Sequence, residues 1–111
     1  MRGKFNPFKV PSKMRNVPTE CDGFRFDSKL EARLYANLKL LRTAGEVTMF
    51  LRQVPFHLPG GTIYRVDFQV FYRDGSVRHL DAKGRETEAF KIKRREVEAS
   101  YPVTIELWKG K

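Results

Sequence analysis

The chain has 111 residues, enough for one domain with a single core, and its 22 lysines and arginines stand against 13 acids for a net charge of +9. That excess suits a polyanion, nucleic acid before others, although a merely soluble or ribosome-associated basic domain has the same balance. The single cysteine, Cys21, excludes an intramolecular disulfide, two separated histidines make no zinc site with it, and no apolar run reaches the length of a membrane span or signal core, so an intracellular, reduced protein without a membrane partner is expected.

Residues 1–18 carry Arg2, Lys4, Lys9, Lys13 and Arg15 with three prolines and no acid. Without a periodic apolar face they read as a flexible basic arm, lying on phosphates or simply frayed, ahead of one domain over residues 19–111. Between Thr19 and Phe26 the Asp22-Gly23 pair signals a hairpin with Phe24 and Phe26 on one face. A first helix is predicted from about Ser28 to Thr43, stopping at Gly45, with Leu30, Leu34, Leu38 and Leu41 as its buried stripe. Glu31 flanks that stripe, and Ser28-Lys29-Leu30-Glu31 fits a capping box in which Glu31 bonds back to the Ser28 backbone.

Met49 to Leu58 is suited to a strand, and Pro55 places it at a sheet edge or a bulge. Pro59-Gly60-Gly61 is a turn. From Ile63 to Lys83 two strands are predicted. On the first, Tyr64, Val66, Phe68, Val70 and Tyr72 share a buried face and Asp67 points the other way; on the second, Val77, His79, Asp81 and Lys83 share a face. The loop between them decides what Asp67 meets. A two-residue Asp74-Gly75 loop sets Asp67 across from Ala82, whereas a three-residue loop, Arg73-Asp74-Gly75, sets it opposite Asp81. The longer loop wants a left-handed last residue, where Gly75 stands, and is the one predicted. Two carboxylates directly opposed across a ladder repel, and a divalent cation is the usual remedy.

Thr87 caps a second helix from about Glu88 to Ser100, in which Phe90, Val97 and Tyr101 keep core spacing. Lys91, Arg94 and Arg95, with Lys93 between them, give the helix a basic side that either contacts DNA or is solvated and paired with Glu96 and Glu98. Pro102 stops the helix, and Val103, Ile105 and Leu107 alternate as a last strand. A helical crossover makes the last two strands parallel, so the expected fold is α/β: a mixed four-stranded sheet in the order helix-β-β-β-helix-β, with a helix on each face.

Asp67 followed one strand later by Asp81-Ala82-Lys83 resembles the PD-(D/E)XK nuclease signature, with Val66 in place of the usual proline and Asp81 in place of the commoner glutamate. FDSKLEARLY, RQVPF and DAKGRET followed by a basic helix extend the likeness from about Asp22 to Ile105, toward a phage-encoded family of Holliday-junction-resolvase-like endonucleases. The resemblance implies a restriction-endonuclease-like core, hydrolysis of branched DNA in phage recombination or DNA processing within the cytoplasm of a bacterial host, and a homodimer. It also implies that Glu31 approaches the catalytic site, where it is a candidate further metal ligand, and that Gln53 positions a water or a phosphate, against the plainer reading of an outward-facing edge-strand residue. The acids themselves are the reason to expect Mg²⁺, with Mn²⁺ able to substitute, on Asp67, Asp81 and the Ala82 backbone carbonyl. Lys83 is placed to orient the attacking water or offset developing charge, alongside Glu31, Asp67 and Asp81. The competing reading is a basic DNA- or RNA-binding module in which these residues form a structural ion-pair cluster. His57 and His79 lie off the acidic pattern, as general acids at most.

Overall fold

The computed structural model describes residues 19–110, so the basic arm and its five cations lie outside the described residues. A hairpin of β1 (Thr19–Cys21) and β2 (Phe24–Phe26) turns at Asp22 and Gly23, both with positive φ (55° and 81°), the geometry that an Asp-Gly pair adopts at little cost. Helix α1 (Lys29–Thr43) follows. Its N-cap Ser28 accepts from the Glu31 backbone N–H, a bond whose loss typically costs about 1 kcal/mol. At its other end Gly45 takes φ 87°, and the Glu46 and Gly45 amides donate back to Leu41 and Arg42. Leu34 and Leu38 are fully buried and Leu30 and Leu41 pack at the margin, as the leucine stripe requires.

Strands β3 (Val47–His57), β4 (Ile63–Tyr72) and β5 (Val77–Ala82), helix α2 (Glu88–Ser100) and strand β6 (Ile105–Trp108) complete the fold, with a short 3-10 turn at Pro59–Gly61. The sheet order is β3-β4-β5-β6, antiparallel except for the parallel β5–β6 pair. β3 is therefore an edge strand, where Pro55 is tolerated because the ladder on its far side is empty. Two clusters of core residues result, and the buried face of β4 contributes to both, Phe68 and Val70 to the first and Tyr64 and Val66 to the second. Phe68, Val70, Leu80 and Ala82 pack with Phe26 and the α1 residues Leu34, Tyr35 and Leu38. Phe56, Tyr64, Val66 and Ile105 pack with Phe90 and Val97 of α2. Leu80 belongs to the first cluster, while its neighbour His79 touches Phe56 of the second, so β5 is covered on both faces. Among the described residues no helix is long and apolar enough to cross a membrane.

The β4–β5 turn has the longer of the two loops. Tyr72 N–H donates to the Ser76 carbonyl (2.9 Å), Gly75 has φ 92°, and the Asp74 carboxylate accepts from the Ser76 amide and hydroxyl. Phe71 then pairs with Val77 and Phe68 with Leu80, the register that carries Asp67 toward Asp81.

Candidate active site

The regular β4–β5 ladder stops at Phe68–Leu80, although β5 runs on to Ala82 against β6. Beyond that point side chains replace the backbone ladder. Asp67 N–H donates to Asp81 Oδ1 (2.8 Å), and Ala82 N–H donates to Asp67 Oδ2 (2.9 Å). Each acid thus bridges the gap left where the strands part, Asp81 through the Asp67 amide and Asp67 through the Ala82 amide, while the direct pairing of the two residues expected from the turn is not part of the ladder. Asp81 is 1% exposed, and its Oδ2 is a buried oxygen without a hydrogen-bond partner. A buried carboxylate oxygen left bare is costly unless a cation or a proton meets it.

Glu31 reaches the same place from the first turn of α1 and is 3% exposed. Its two oxygens divide the two sequence readings between them. Oε1 accepts from Asp27 N–H (3.2 Å), a capping contact displaced by one residue from the expected Ser28 amide, while the Ser28 hydroxyl accepts from the Glu31 amide as expected. Oε2 accepts from the Gln53 side chain (3.1 Å), whose Nε2 also donates to Asp67 Oδ1 (3.2 Å). Arg52 comes within 3.9 Å of the same Glu31 oxygen, with its guanidinium stacked over Phe24 (4.7 Å) and Phe26 (4.4 Å). The β1–β2 hairpin is tied to the site in this way. Arg52 was not foreseen, and the signal for it was the RQVPF stretch itself.

Gln53 has φ 53°, the left-handed region, in the middle of a strand. That conformation costs an ordinary residue roughly 1–2 kcal/mol. Arg52 pairs with Phe68 and Val54 with Val66, while Gln53 and Asp67 between them do not pair. Its side chain is not on the outer surface of an edge strand but turned onto the acids.

Burial dominates the electrostatics. It pushes the Glu31 carboxyl up to about 7, with the Asp67 charge adding to the rise and the Asp27 amide and Arg52 opposing it. It pushes Asp81 up to about 6 against the Asp67 amide and Lys83, and it raises Asp67 against the Ala82 amide, Lys83 and Gln53. Lys83 makes no ion pair within 4 Å among the described residues; its Nζ lies over the Phe90 ring at 5.1 Å. A plain Asp81–Lys83 salt bridge is therefore not the structure. Lys83 bears on the acids through its field and rests against Phe90 of α2.

An open cavity of about 720 Å³ adjoins these groups. It is lined by the acids Asp27, Glu31 and Asp67, by the cations Lys29, Lys83 and Arg85, and by Ala82 and Thr87, whereas Asp81 is buried and is not part of this lining. Among the described residues no group of three or more His, Cys, Asp or Glu stands as a ready-made metal cage. Magnesium does not require one: it is usually held by one or two carboxylates and keeps several waters. The bare Asp81 Oδ2, beside a second carboxylate whose pKa is also raised by burial, fits a hard cation.

The basic side of α2 is less uniform than its sequence. Lys91 pairs with Glu88 (3.5 Å), and Arg94 pairs with Glu86 (3.8 Å) while lying over Phe90 (5.5 Å). Lys93 and Arg95 are exposed. Glu98 does not pair back to a base but accepts from Ile105 N–H (2.8 Å), fixing the start of β6. His57 is exposed and its carbonyl accepts from Tyr101 Oη; His79 is buried against Phe56 and hydrogen-bonded to Gln69, and burial lowers its pKa. Neither histidine makes a hydrogen bond to the acids. Residues 11–111 match the protein family described as "Protein of unknown function (DUF1064)". No curated protein and no solved structure matches the chain.

Proposed function

We propose that this chain, which belongs to the DUF1064 family, is a magnesium-dependent endonuclease that hydrolyses DNA phosphodiester bonds, with a restriction-endonuclease-like core. The observation that carries the reading is the placement of Asp67 beside Asp81 where the β4–β5 ladder ends, with one buried oxygen of Asp81 bare. Asp67, Asp81 and the Ala82 carbonyl are the donors for the cation. A bound Mg²⁺ would lower the pKa of an attacking water and offset charge on the phosphoryl oxygens. Lys83, without an ion pair among the described residues, orients that water or stabilises the developing charge. Lys29 and Arg85 in the cavity lining attract phosphates to a site that also holds acids.

Branched DNA, the four-way junction above all, is the substrate that the resemblance to resolvase-like phage enzymes supports. A junction is resolved by paired cuts, so a chain with one site acts as a symmetric homodimer. Purified protein incubated with labelled duplex, flap and four-way junction, in Mg²⁺ or in EDTA, tests both levels. Metal-dependent cuts at symmetric positions in the junction are expected. Cutting of flaps or duplex by a monomer leaves a nuclease but removes the resolvase. Binding without cleavage in Mg²⁺ or Mn²⁺ returns the chain to a non-catalytic module.

Affinity will fall steeply with salt, because each phosphate neutralised releases condensed counterions. Since Lys91 and Arg94 are partly held by Glu88 and Glu86, replacing Lys93 and Arg95 by Ala will reduce the slope of log affinity against log salt by about 1–2, more than replacing Lys91 and Arg94. Fluorescence anisotropy between low and moderate salt reads the slopes. Equal, unchanged slopes assign this helix to solvent.

A further inference from the structure

We infer that Gln53 is a positioning residue of the nuclease site, a neutral clamp that sets Glu31 and Asp67 for the cation, and this inference rests on the nuclease reading above. Two separate observations meet in it. The side-chain amide gives its two hydrogens to two different acids, Glu31 Oε2 at 3.1 Å and Asp67 Oδ1 at 3.2 Å. The backbone that holds it there is left-handed, φ 53°, at a place where the β3–β4 ladder skips a pair. Glycine or asparagine takes that conformation most cheaply, so glutamine brings no backbone advantage and its side chain must account for its presence. Asparagine is one methylene shorter and cannot span to both carboxylates from the same Cα.

The neutrality of the amide is what suits it to this task. A lysine or arginine at the same position would also bridge the acids, but its charge would compete with the cation for them. An amide fixes their orientation and leaves the negative charge of the site intact, as outer partners of metal ligands commonly do. Through the same bond Glu31 acts on Asp67 from α1, so the helix and the sheet register are set against each other by one side chain. A residue reading a phosphate would instead present its amide to the cavity.

The test uses Gln53→Gly and Gln53→Asn, both of which relieve the left-handed backbone and so should fold with melting temperatures within a few degrees of wild type. Mn²⁺ binding to each protein is measured by titration calorimetry or electron paramagnetic resonance without DNA, and cleavage is measured at saturating metal. Both variants are expected to bind Mn²⁺ about 10-fold or more weakly. Their kcat should fall while KM for DNA holds. Wild-type Mn²⁺ affinity in both variants, or a change confined to KM, overturns the positioning role while the nuclease stands on the wild-type cleavage. Wild-type protein that binds no Mn²⁺ and cuts nothing overturns both together.

Discussion

Asp81→Asn and Lys83→Ala will each lower the cleavage rate by about 10³-fold or more while DNA affinity stays within a few-fold of wild type or tightens. The separation follows from where the groups lie. On the proposed reading Asp81 and Lys83 serve the reacting phosphate, whereas affinity rests mainly on the other cations of the cavity, Lys29 and Arg85, and on those of α2. Removing one carboxylate also removes repulsion of the backbone phosphates. Asp67 needs two variants, because its Oδ2 also accepts from the Ala82 amide. Asp67→Asn keeps an oxygen for that bond and should stay folded while losing cleavage; Asp67→Ala leaves a strand amide unmet and will cost stability as well. Labelled-substrate cleavage in Mg²⁺ and gel-shift affinity in Ca²⁺ measure the two quantities on the same preparations. Cleavage that survives Asp81→Asn and Lys83→Ala would falsify the site. Mixing wild-type with Asp81→Asn chains extends the test to assembly: mixed dimers with one working site nick a junction on one strand where wild-type dimers make paired cuts, and a protein that is a monomer by light scattering removes the paired-cut reading.

The register of the two acids was legible because a turn has few solutions. Gly75 at the left-handed position favours the longer loop, and the longer loop alone brings Asp67 to Asp81. The leucine stripe of α1, the Thr87 cap and the edge position of β3 could be read for a similar reason, since each rests on a local rule with one outcome. What could not be read was how long side chains share acceptors. A carboxylate has two oxygens, so Glu31 is both cap and site residue, and a choice between those readings was never required. Pro55 hinted at a bulge, but nothing in its neighbourhood says that the irregular residue is Gln53 or that its amide turns inward. Lys83 likewise leaves its sequence neighbour Asp81 for a ring on α2, a contact between positions separated by the β5–α2 connection.

Asp81→Asn will also stabilise the metal-free protein, most at neutral and alkaline pH. Burial raises the Asp81 carboxyl from 3.8 to about 6, so folding favours its protonated form and the ionised form is a liability. That penalty is complete above about pH 6, shrinks as pH falls through the folded pKa, and is gone below the unfolded value near 3.8. A rise of this size corresponds to on the order of 3 kcal/mol as an upper bound, and relaxation around the site reduces it to about 1–3 kcal/mol. Asparagine keeps an oxygen for the Asp67 amide and puts a neutral NH₂ where the bare Oδ2 stood, so the bond is retained and the charge is lost. Thermal melts at pH 8 in EDTA should therefore place Asp81→Asn about 5 °C or more above wild type, a gap that narrows toward pH 5. Added Mg²⁺ should raise the wild-type melting temperature and leave the variant nearly unmoved, because a cation gains from the carboxylate what the amide no longer offers. One substitution then abolishes cutting and strengthens the fold, the trade expected of a group kept for chemistry rather than for packing. A wild type that melts above Asp81→Asn at pH 8 without metal would instead make Asp81 a structural acid, valued for its bond to the Asp67 amide.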